Sequence, residues 1–569
     1  VMRGACCRVL EAMAEGGVKL GPKEVQKLVE GCGDHLKHPT EAISKAAAAA
    51  VGAMSRACFG EVSGEWRRQL VLKYGQTAEQ DANPAARRGF ALGLGALGRS
   101  SLVEALGEAV SALVRAATVL DENPEERDAA ARRNAVQGLM AVVSTVGIRS
   151  KEGDGGGLTA EMVLEVVEGL LRAAEDYCVD NRGDVGSWVR MAAMEGMAEV
   201  CVLACKADAD AGVLGKEGGV WVESYSRRIV QALVKQLSEK IDGVRACAGT
   251  VLHRLLFRPS SAGSPSATPP PDGDAESTPA TTTPAQADGI QVPFVPDREA
   301  LESAIGGDGL VDWRAPAAAF PRVATLLRSP DLMAPALAGF VVSVGGISES
   351  TVKHSWGSLL QSLQGDDGAA LMIKVGSAML ELLEENKGVD RVVVPAMRTI
   401  HLLITNGCMD AMPPSSSPVP KGILERVQGE MRGCKDVGKL QAGVSVAAAL
   451  LQYDDASLRV PALQTLLAML THRYPRVRKQ AGEEMYLQVL THEGLVGEDY
   501  MEQATAILGE TDWTADVPVL RPARDELYPA FGVTRAESTA PTSAVPRAPR
   551  PLAEEQGSAY KDLVKEMHY

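Results

Sequence analysis

The chain has 569 residues, of which 46% are hydrophobic and only 4% aromatic. Ala, Leu, Val and Gly carry the apolar mass, which favours closely stacked helices over β-sandwiches built on aromatic and β-branched side chains. A formal net charge of −15 without a long basic run argues against nucleic acid as the main partner, because phosphate binding needs clustered Lys and Arg.

The cysteines and the apolar runs indicate where the protein works. Ten cysteines form no C-x-x-C pair, and the chain has no Asn-x-Ser/Thr sequon, which is typical of a reducing, cytoplasmic compartment. The longest uncharged run, residues 332–348, is shorter than the ~20 apolar residues that span a bilayer, so we expect no stable membrane insertion. Because Val1 already stands in a helical pattern, we expect a piece of a longer protein.

A basic residue followed three positions later by Ala recurs along the chain at intervals of 43 to 58 residues in its first part. The pairs are Lys45 and Ala48, Arg88 and Ala91, Arg132 and Ala135, Arg190 and Ala193, Arg245 and Ala248, and later Arg459 and Ala462, and Arg478 and Ala481. HEAT-type helix–turn–helix repeats have a period of about 40–47 residues, longer with insertions. A preceding Asp or Pro would begin each helix, and the small Ala would permit close packing. Chance recurrence in an Ala-rich helical chain is the alternative.

Composition divides the chain into four parts. Residues 1–258 form a first helical-repeat block, and the Pro/Ser/Thr-rich residues 259–298 are predicted to be a disordered linker, since they cannot bury enough apolar surface to order themselves. Residues 299–532 form a second helical-repeat block, and residues 533–569 a disordered tail. The sequence therefore predicts an all-α, HEAT/armadillo-like solenoid in two blocks joined by a disordered linker.

A G-x-G-x-x-G string occurs at Gly93, Gly95 and Gly98. A dinucleotide-binding loop would follow a strand and open a helix, but the preceding residues indicate a capped helix. We expect these glycines at a tight helix–helix contact.

Other catalytic and metal-binding patterns are missing from the sequence. His35 and His38 have the i,i+3 spacing, but no further ligands of suitable spacing follow. No G-x-S-x-G elbow and no Walker A string occur. We predict a binding protein with no catalytic residue, cofactor or metal. An enzyme whose active site is assembled from residues distant in the sequence is a further hypothesis, and it is the weakest of those considered.

The most distinctive string is DNRGDVGSWVR, residues 180–190. One interpretation is a loop that caps the next helix, with Trp188 packed on a neighbouring repeat. The other is an exposed anchor for a partner formed by Asp184, Trp188 and Arg190, because Trp and Arg are enriched in binding hot spots.

This string continues as DNRGDVGSWVRMAAMEGM and closely resembles a stretch of the tubulin-folding cofactor D family. Further segments resemble the C-terminal half of that family and occur in its order: RRGFALGLGAL, EKIDGVRACAGTVLHRLL, WRAPAAAFPRVATLL, THRYPRVRKQAGEEMY and ETDWTADVPVLRPARDELYPAFGV. The linker is longer than this resemblance predicts, the tail has no counterpart in it, and the N-terminal half of the family is missing.

The resemblance implies a HEAT-type solenoid that binds β-tubulin and takes part in assembly and disassembly of the αβ-tubulin heterodimer. It implies partnership with cofactors E and C in a GTPase-activating complex on tubulin, an Arf-like small GTPase as a further partner, and association with the microtubule cytoskeleton. The alternative function is that of a generic HEAT-repeat interaction scaffold with no preference for tubulin.

Overall fold

The computed structural model describes residues 2–119, 128–149, 156–257, 291–307, 309, 311–346 and 348–535. The predicted tail beyond residue 535 and the predicted linker up to residue 290 lie outside this part and stay predictions. Within it, helices dominate and the all-α helical-repeat solenoid is confirmed.

Before residue 258 the helices are α1 (Met2–Glu15), α2 (Pro22–Leu36), α3 (Glu41–Cys58), α4 (Gly64–Gln80), α5 (Pro84–Ala96), α6 (Arg99–Leu102), α7 (Leu106–Ala116), α8 (Ala129–Val146), α9 (Ala160–Ala173), α10 (Gly186–Asp210), α11 (Glu223–Leu237) and α12 (Asp242–Leu256). After residue 290 they are α13 (Arg298–Ile305), α14 (Pro316–Thr325), α15 (Met333–Val344), α16 (Glu349–Leu363), α17 (Gly368–Glu385), α18 (Asp390–Thr405), α19 (Val419–Met431), α20 (Val437–Ala449), α21 (Ala456–Met469), α22 (Pro475–Thr491), α23 (Met501–Glu510) and α24 (Val517–Ala530). Short 3-10 turns occur at Phe59–Glu61, Val103–Ala105, Leu326–Arg328, Cys408–Ala411, Leu450–Gln452 and Glu498–Tyr500. Strands β1 (Val179–Asp180) and β2 (Gly183–Asp184) pair antiparallel.

Polar side chains at the helix starts explain several of these boundaries. In six of the described helices, the side chain of the residue before the helix accepts a hydrogen bond from a first-turn amide, which satisfies a donor that the helix itself leaves unpaired. These residues are Ser63, Asn83, Asp128, Thr159, Asp436 and Asp455.

In the first block, successive helices pack in pairs: α2/α3, α4/α5, α7/α8, α9/α10 and α11/α12. The second members, α3, α5, α8, α10 and α12, stack on one another, and the first members α4, α7, α9 and α11 form a parallel layer. A solenoid buries its apolar surface in this way, because a single pair leaves its stripe unpartnered. We call the stack of second members the second-helix layer, and the loops that precede its helices the loop edge.

The second block repeats this arrangement with α17/α18, α19/α20 and α21/α22, whose second members α18, α20 and α22 stack in one layer together with α15. The two blocks pack directly on each other, because α11 of the first block contacts α15 of the second. Helix α11 belongs to the layer of first members in the first block, whereas α15 belongs to the second-helix layer of the second block. The two layers therefore change places at the junction.

The predicted linker boundary needs one adjustment at its C-terminal end. Residues 291–298 belong to the described fold, and Val292 there is buried. The carbonyl oxygen of Pro293 accepts a hydrogen bond from Ser226 Oγ at 2.8 Å, and Arg298 begins α13.

Buried cations near the N-termini of the second helices hold neighbouring repeats together. Arg132, Arg190, Arg245, Lys439 and Arg478 are each no more than 5% exposed. Arg245 and Arg478 donate to carbonyl oxygens of their own preceding loop and of the next repeat. A guanidinium has five donors in a planar fork, so one side chain can satisfy several loop carbonyls.

The basic residues of the recurring pattern are not all buried, and the first two members of the series lie at the surface. Lys45 is 39% exposed in its side chain and pairs with Glu41, and Arg88 is 38% exposed and pairs with Asp128. In α5 the buried cation is the neighbouring Arg87, which donates to the Asp81 carbonyl oxygen. A shift of one residue turns a helical side chain by about 100°, which separates the core from the surface.

Two Trp side chains lie against helical glycines in the same way in the two blocks. A Cβ atom on Gly249 would lie 2.3 Å from Trp313, and one on Gly482 would lie 2.5 Å from Trp513. The Arg four residues before each glycine donates through Nε to the carbonyl oxygen of that same Trp. Only glycine permits this approach, so α12 and α22 are each locked to the segment that follows.

The G-x-G-x-x-G string lies at the end of α5, as the tight-contact prediction required. A Cβ on Gly95 would lie 2.6 Å from the Cα of Gly138 in α8, and one on Gly93 would lie 3.0 Å from Leu36. Gly95 thus permits close contact of α5 with α8, and Gly93 permits close contact with α2, which confirms the prediction.

Candidate binding surface

A short hairpin protrudes from the loop edge just before α10. Its strands β1 and β2 are joined by Asn181 and Arg182, and Gly183 has the positive φ of 102° that glycine adopts readily. Val179 at the hairpin is 67% exposed. The hairpin thus presents apolar surface to solvent.

Arg182 and Trp188 form the outer face of this hairpin. Arg182 pairs with Asp180 at 2.6 Å, and its Cζ lies 4.9 Å from the centre of a half-buried Trp188 ring. The ring is packed on the core on one side and covered by a cation on the other. Val179, Arg182 and Trp188 are accessible to a partner on this surface, together with the exposed Asp180 and Asn181.

Two buried arginines hold the base of the hairpin in place. Arg132 Nε of the preceding repeat lies 2.6 Å from Asp176 Oδ2, and both side chains are buried. Arg190 donates to the Asp176 carbonyl oxygen at 2.7 Å and to Asp184 Oδ1 at 3.1 Å. Arg190 also lies 3.7 Å from Glu239, so the hairpin base is linked to the next repeat as well.

Close backbone contact completes the base. The amide of Gly186 donates to the Cys178 carbonyl oxygen at 2.9 Å, and a Cβ there would lie 2.3 Å from the Asp176 carbonyl oxygen. The Asp184 carboxylate also accepts from the Ser187 amide at 3.1 Å, which caps the start of α10. The hairpin is therefore preorganised, which lowers the entropic cost of binding through it.

The three residues singled out in the sequence thus have different positions. Trp188 is half-buried with one covered face, and Asp184 is 15% exposed in its side chain. Arg190 is fully buried, so its guanidinium orients the hairpin and does not face solvent. Both interpretations of the string therefore stay open, because Asp184 caps the helix whereas Trp188 is partly exposed.

A groove of about 400 Å³ lies beside the hairpin, at the junction of the two blocks. Its floor is apolar, with Leu337, Val342 and Val392 among its residues, and its rim carries Glu381 and Glu385. It is formed where the layers change places, between α11, α15, α17 and α18.

Tyr177 connects the hairpin base to this groove. Its ring centre lies 4.2 Å from Arg190 Cζ and 3.4 Å from Arg391 Cζ, and its hydroxyl accepts from Gln236 at 3.0 Å. Burial raises the pKa of Tyr177 well above its usual range, so the ring stays neutral. Tyr177, Glu239 and Arg391 were not predicted from the sequence, because they belong to separate segments of the chain that meet only in the folded solenoid.

Titratable groups give little sign of chemistry in the described residues. No group of three or more His, Cys, Asp or Glu side chains there is placed to hold a metal ion, His35 and His38 included. Burial raises the pKa of both Cys32 and Cys247 to about 12, so these thiols are poor nucleophiles near neutral pH. No helix in this part is long and apolar enough to cross a bilayer.

Residues 227–439 match the family model described as the C-terminal domain of tubulin folding cofactor D. The match begins in α11 and ends in α20, so it contains the block junction and most of the groove. Over this segment the chain is similar to tubulin folding cofactor D.

Two curated relatives of this family align with the chain. It is 23% identical over 407 residues to tubulin-specific chaperone D of Dictyostelium discoideum, an alignment that covers 66% of this chain and 25% of that protein. It is 30% identical over 95 residues to tubulin-folding cofactor D of Schizosaccharomyces pombe, covering 17% of this chain and 8% of the relative. The chain thus spans about a quarter or less of the cofactor D relatives it matches.

Among solved structures, an engineered protein aligns over 86% of this chain and 95% of its own, with 12% identity and a TM-score of 0.25. So low a score supports no argument about the cofactor D fold.

Proposed function

We propose that this chain binds tubulin as part of a tubulin-folding cofactor. The observation that supports the proposal is the match of residues 227–439 to the cofactor D domain, on a helical solenoid that offers a long surface for a large subunit. We infer that the chain acts by binding and carries no catalytic residue. Any GTP hydrolysis in its complexes then belongs to a partner.

The finer role follows from the family resemblance. We propose β-tubulin as the bound subunit, and assembly and disassembly of the αβ-tubulin heterodimer with cofactors E and C, in a GTPase-activating complex, as the process served. An Arf-like small GTPase is a further proposed partner. The expected place of action is the cytoplasm and the microtubule cytoskeleton.

We propose the hairpin as one contact with the tubulin subunit. Val179 is exposed apolar surface, and Trp188 beneath Arg182 is an aromatic side chain of the kind that dominates binding energy when a partner covers it. Asp184 and Arg190 contribute by holding this surface in position. The buried base supports the role, because a rigid hairpin loses little freedom on binding.

The first test is complex formation followed by size-exclusion chromatography. The purified chain is mixed with native αβ-tubulin and, separately, with β-tubulin released from chaperonin. We expect co-elution with β-tubulin. A folded chain that elutes alone in both mixtures would favour the generic HEAT scaffold instead.

The second test places the contact. Val179→Asp and Trp188→Ala are each expected to weaken tubulin binding about tenfold or more with little change in melting temperature. Val519→Asp is the matched control, since Val519 is 68% exposed on α24, nearly the same as Val179. Equal binding by all variants would remove the hairpin from the proposed interface, and a lowered melting temperature for Trp188→Ala would assign that ring to packing.

A further inference from the structure

The loop edge of the second block carries a group of exposed cations that the function proposed above does not use. Arg432 and Lys435 precede α20, and Arg473, Arg476 and Lys479 lie at the start of α22. All five are exposed, in a chain whose net charge is −15. We call these five residues the basic patch.

The two loops that carry the basic patch are neighbours. Arg473 Nη2 lies 3.5 Å from the Cys434 carbonyl oxygen, and Gln480 of α22 donates to the Gln441 carbonyl oxygen of α20 at 3.2 Å. Helices α20 and α22 therefore lie side by side with both N-termini at this edge. Each N-terminus adds a partial positive charge to the patch.

Most of these cations lack an anionic partner within the described part of the chain. Arg432, Lys435 and Arg476 form no ion pair there, and Lys479 reaches Glu483 only at 3.7 Å. The nearby acids serve other bonds. Asp436 caps α20 through the Lys439 amide.

A buried charge beneath the patch is the second, independent observation. Arg478 is 3% exposed, and its five hydrogen bonds all go to backbone carbonyl oxygens. Arg132, Arg190, Arg245 and Lys439, its counterparts in the other second helices, each have a carboxylate within 4.0 Å. No carboxylate thus pairs directly with Arg478. Because a buried charge is weakly screened, it adds to the positive electrostatic potential at the basic patch.

The positive charges of this region lower the pKa values of two neighbouring groups. The pKa of His472 is lowered by burial and then by the charges of Arg473 and Arg478. The pKa of Asp512 is lowered mainly by its hydrogen bonds from Thr514, with the charges of Arg478 and Lys479 adding to the effect. Both shifts have the sign that a positive potential produces.

We propose that the basic patch docks an acidic peptide segment of a protein partner. Carboxylates on an extended chain can contact cations from both loops at once, and Arg binds carboxylate in a bidentate way that adds geometry to the charge. A long nucleic acid fits less well, because the acidic remainder of the surface repels a polyanion that extends beyond the patch. The proposal concerns a surface apart from the hairpin and does not depend on tubulin being the partner.

The test uses a short fluorescein-labelled oligoglutamate peptide and the whole chain, followed by fluorescence anisotropy. We expect binding that weakens steeply between about 50 and about 300 mM NaCl, as for exposed charges. Arg473→Glu with Arg476→Glu should lower the affinity about tenfold or more, because like charges then face the peptide. The matched control is Lys353→Glu with Lys374→Glu, two exposed lysines on α16 and α17, which changes the net charge by the same amount.

Each outcome of the peptide-binding experiment either supports or overturns the proposal. Loss of binding in the patch variant alone, with both variants melting as the wild type does, supports the proposal. Equal loss in both variants would mean that net charge alone attracts the peptide, and no binding by the wild type would also overturn the proposal. Tighter binding of a labelled oligouridylate than of oligoglutamate at the same patch would replace the acidic peptide with nucleic acid.

Discussion

Arg391 lies with its guanidinium carbon 3.4 Å from the centre of the Tyr177 ring, which joins the base of the hairpin to the first turn of α18. The two residues are more than 200 positions apart and belong to different blocks. Both residues line the groove at the junction of the blocks, where α11 packs on α15. Their contact therefore fixes the hairpin relative to the second block.

The Tyr177–Arg391 contact should contribute measurably to stability. Arg391→Ala removes the cation from the ring face, and we expect a loss of about 0.5–2 kcal/mol in the free energy of unfolding. Lys387→Ala, an exposed change one turn before α18, should change it by less than about 0.5 kcal/mol. Urea unfolding checks both. Equal effects would show that the contact adds nothing beyond an ordinary surface residue.

Asp176 should be among the most sensitive positions at the hairpin. Asp176→Asn leaves Arg132 buried without its carboxylate, and breaking a buried pair from one side costs about 3–5 kcal/mol. Hydrogen exchange of amides 178–187 should speed up, because the hairpin base loses its support. Glu79→Gln is the control, since it breaks a pair whose Arg115 side chain is 57% exposed, and it should cost at most about 1 kcal/mol. Similar losses for the two variants would contradict the assigned role of the buried pair.

Two glycine substitutions should act in opposite directions. Gly95→Ala places a methyl group 2.6 Å from the Gly138 Cα, and the forced separation of α5 and α8 should cost about 1–3 kcal/mol. Gly31→Ala in α2 meets no atom within 4 Å and should stabilise by about 0.5–1 kcal/mol through helix propensity. Melting temperatures of the two variants and the wild type provide the comparison. A neutral Gly95→Ala would mean that α5 and α8 can move apart freely.

His472 should make the stability depend on pH. Its native pKa is lowered by burial and by Arg473 and Arg478, so below pH ~6.5 the unfolded chain binds a proton that the native state does not. The native state should therefore lose stability as the pH falls from neutral toward 5. His472→Gln keeps an acceptor for the Tyr474 amide but cannot titrate, so its melting temperature should fall less over that interval. Parallel curves for the two proteins would rule out this source of pH dependence.

Sequence periodicity was sufficient for the solenoid, because buried cations and small residues recur at the second helices. Arg132, Arg190, Arg245 and Arg478 were all picked out in this way and all are buried. The spacing could not decide between Arg87 and Arg88 in α5, since both are basic and only the folded structure shows which of the two side chains is buried. A stronger signal was present in V-R-x-x-A-G followed by D-W-x-A, which begins at Val244 and again at Val477 and encodes the two Trp–Gly locks.

The candidate surface was predicted only in part. The string 180–190 drew attention by its composition, but burial of Arg190 depends on Asp176 and Glu239 from other segments of the chain. The groove and the role of Tyr177 follow from the exchange of layers between α11 and α15. No local pattern encodes that exchange, because it is set by how distant apolar faces match.

The Trp313–Gly249 lock has a consequence for the connection between the blocks. Arg245 donates to the carbonyl oxygens of Trp313 and Arg314, and Ser343 donates to that of Ser238, so the blocks share contacts that need no covalent link between Phe257 and Gln291. A protease cut within residues 258–290 should leave two fragments that stay associated and elute as one species. We therefore expect the two blocks to remain one folded unit after such a cut.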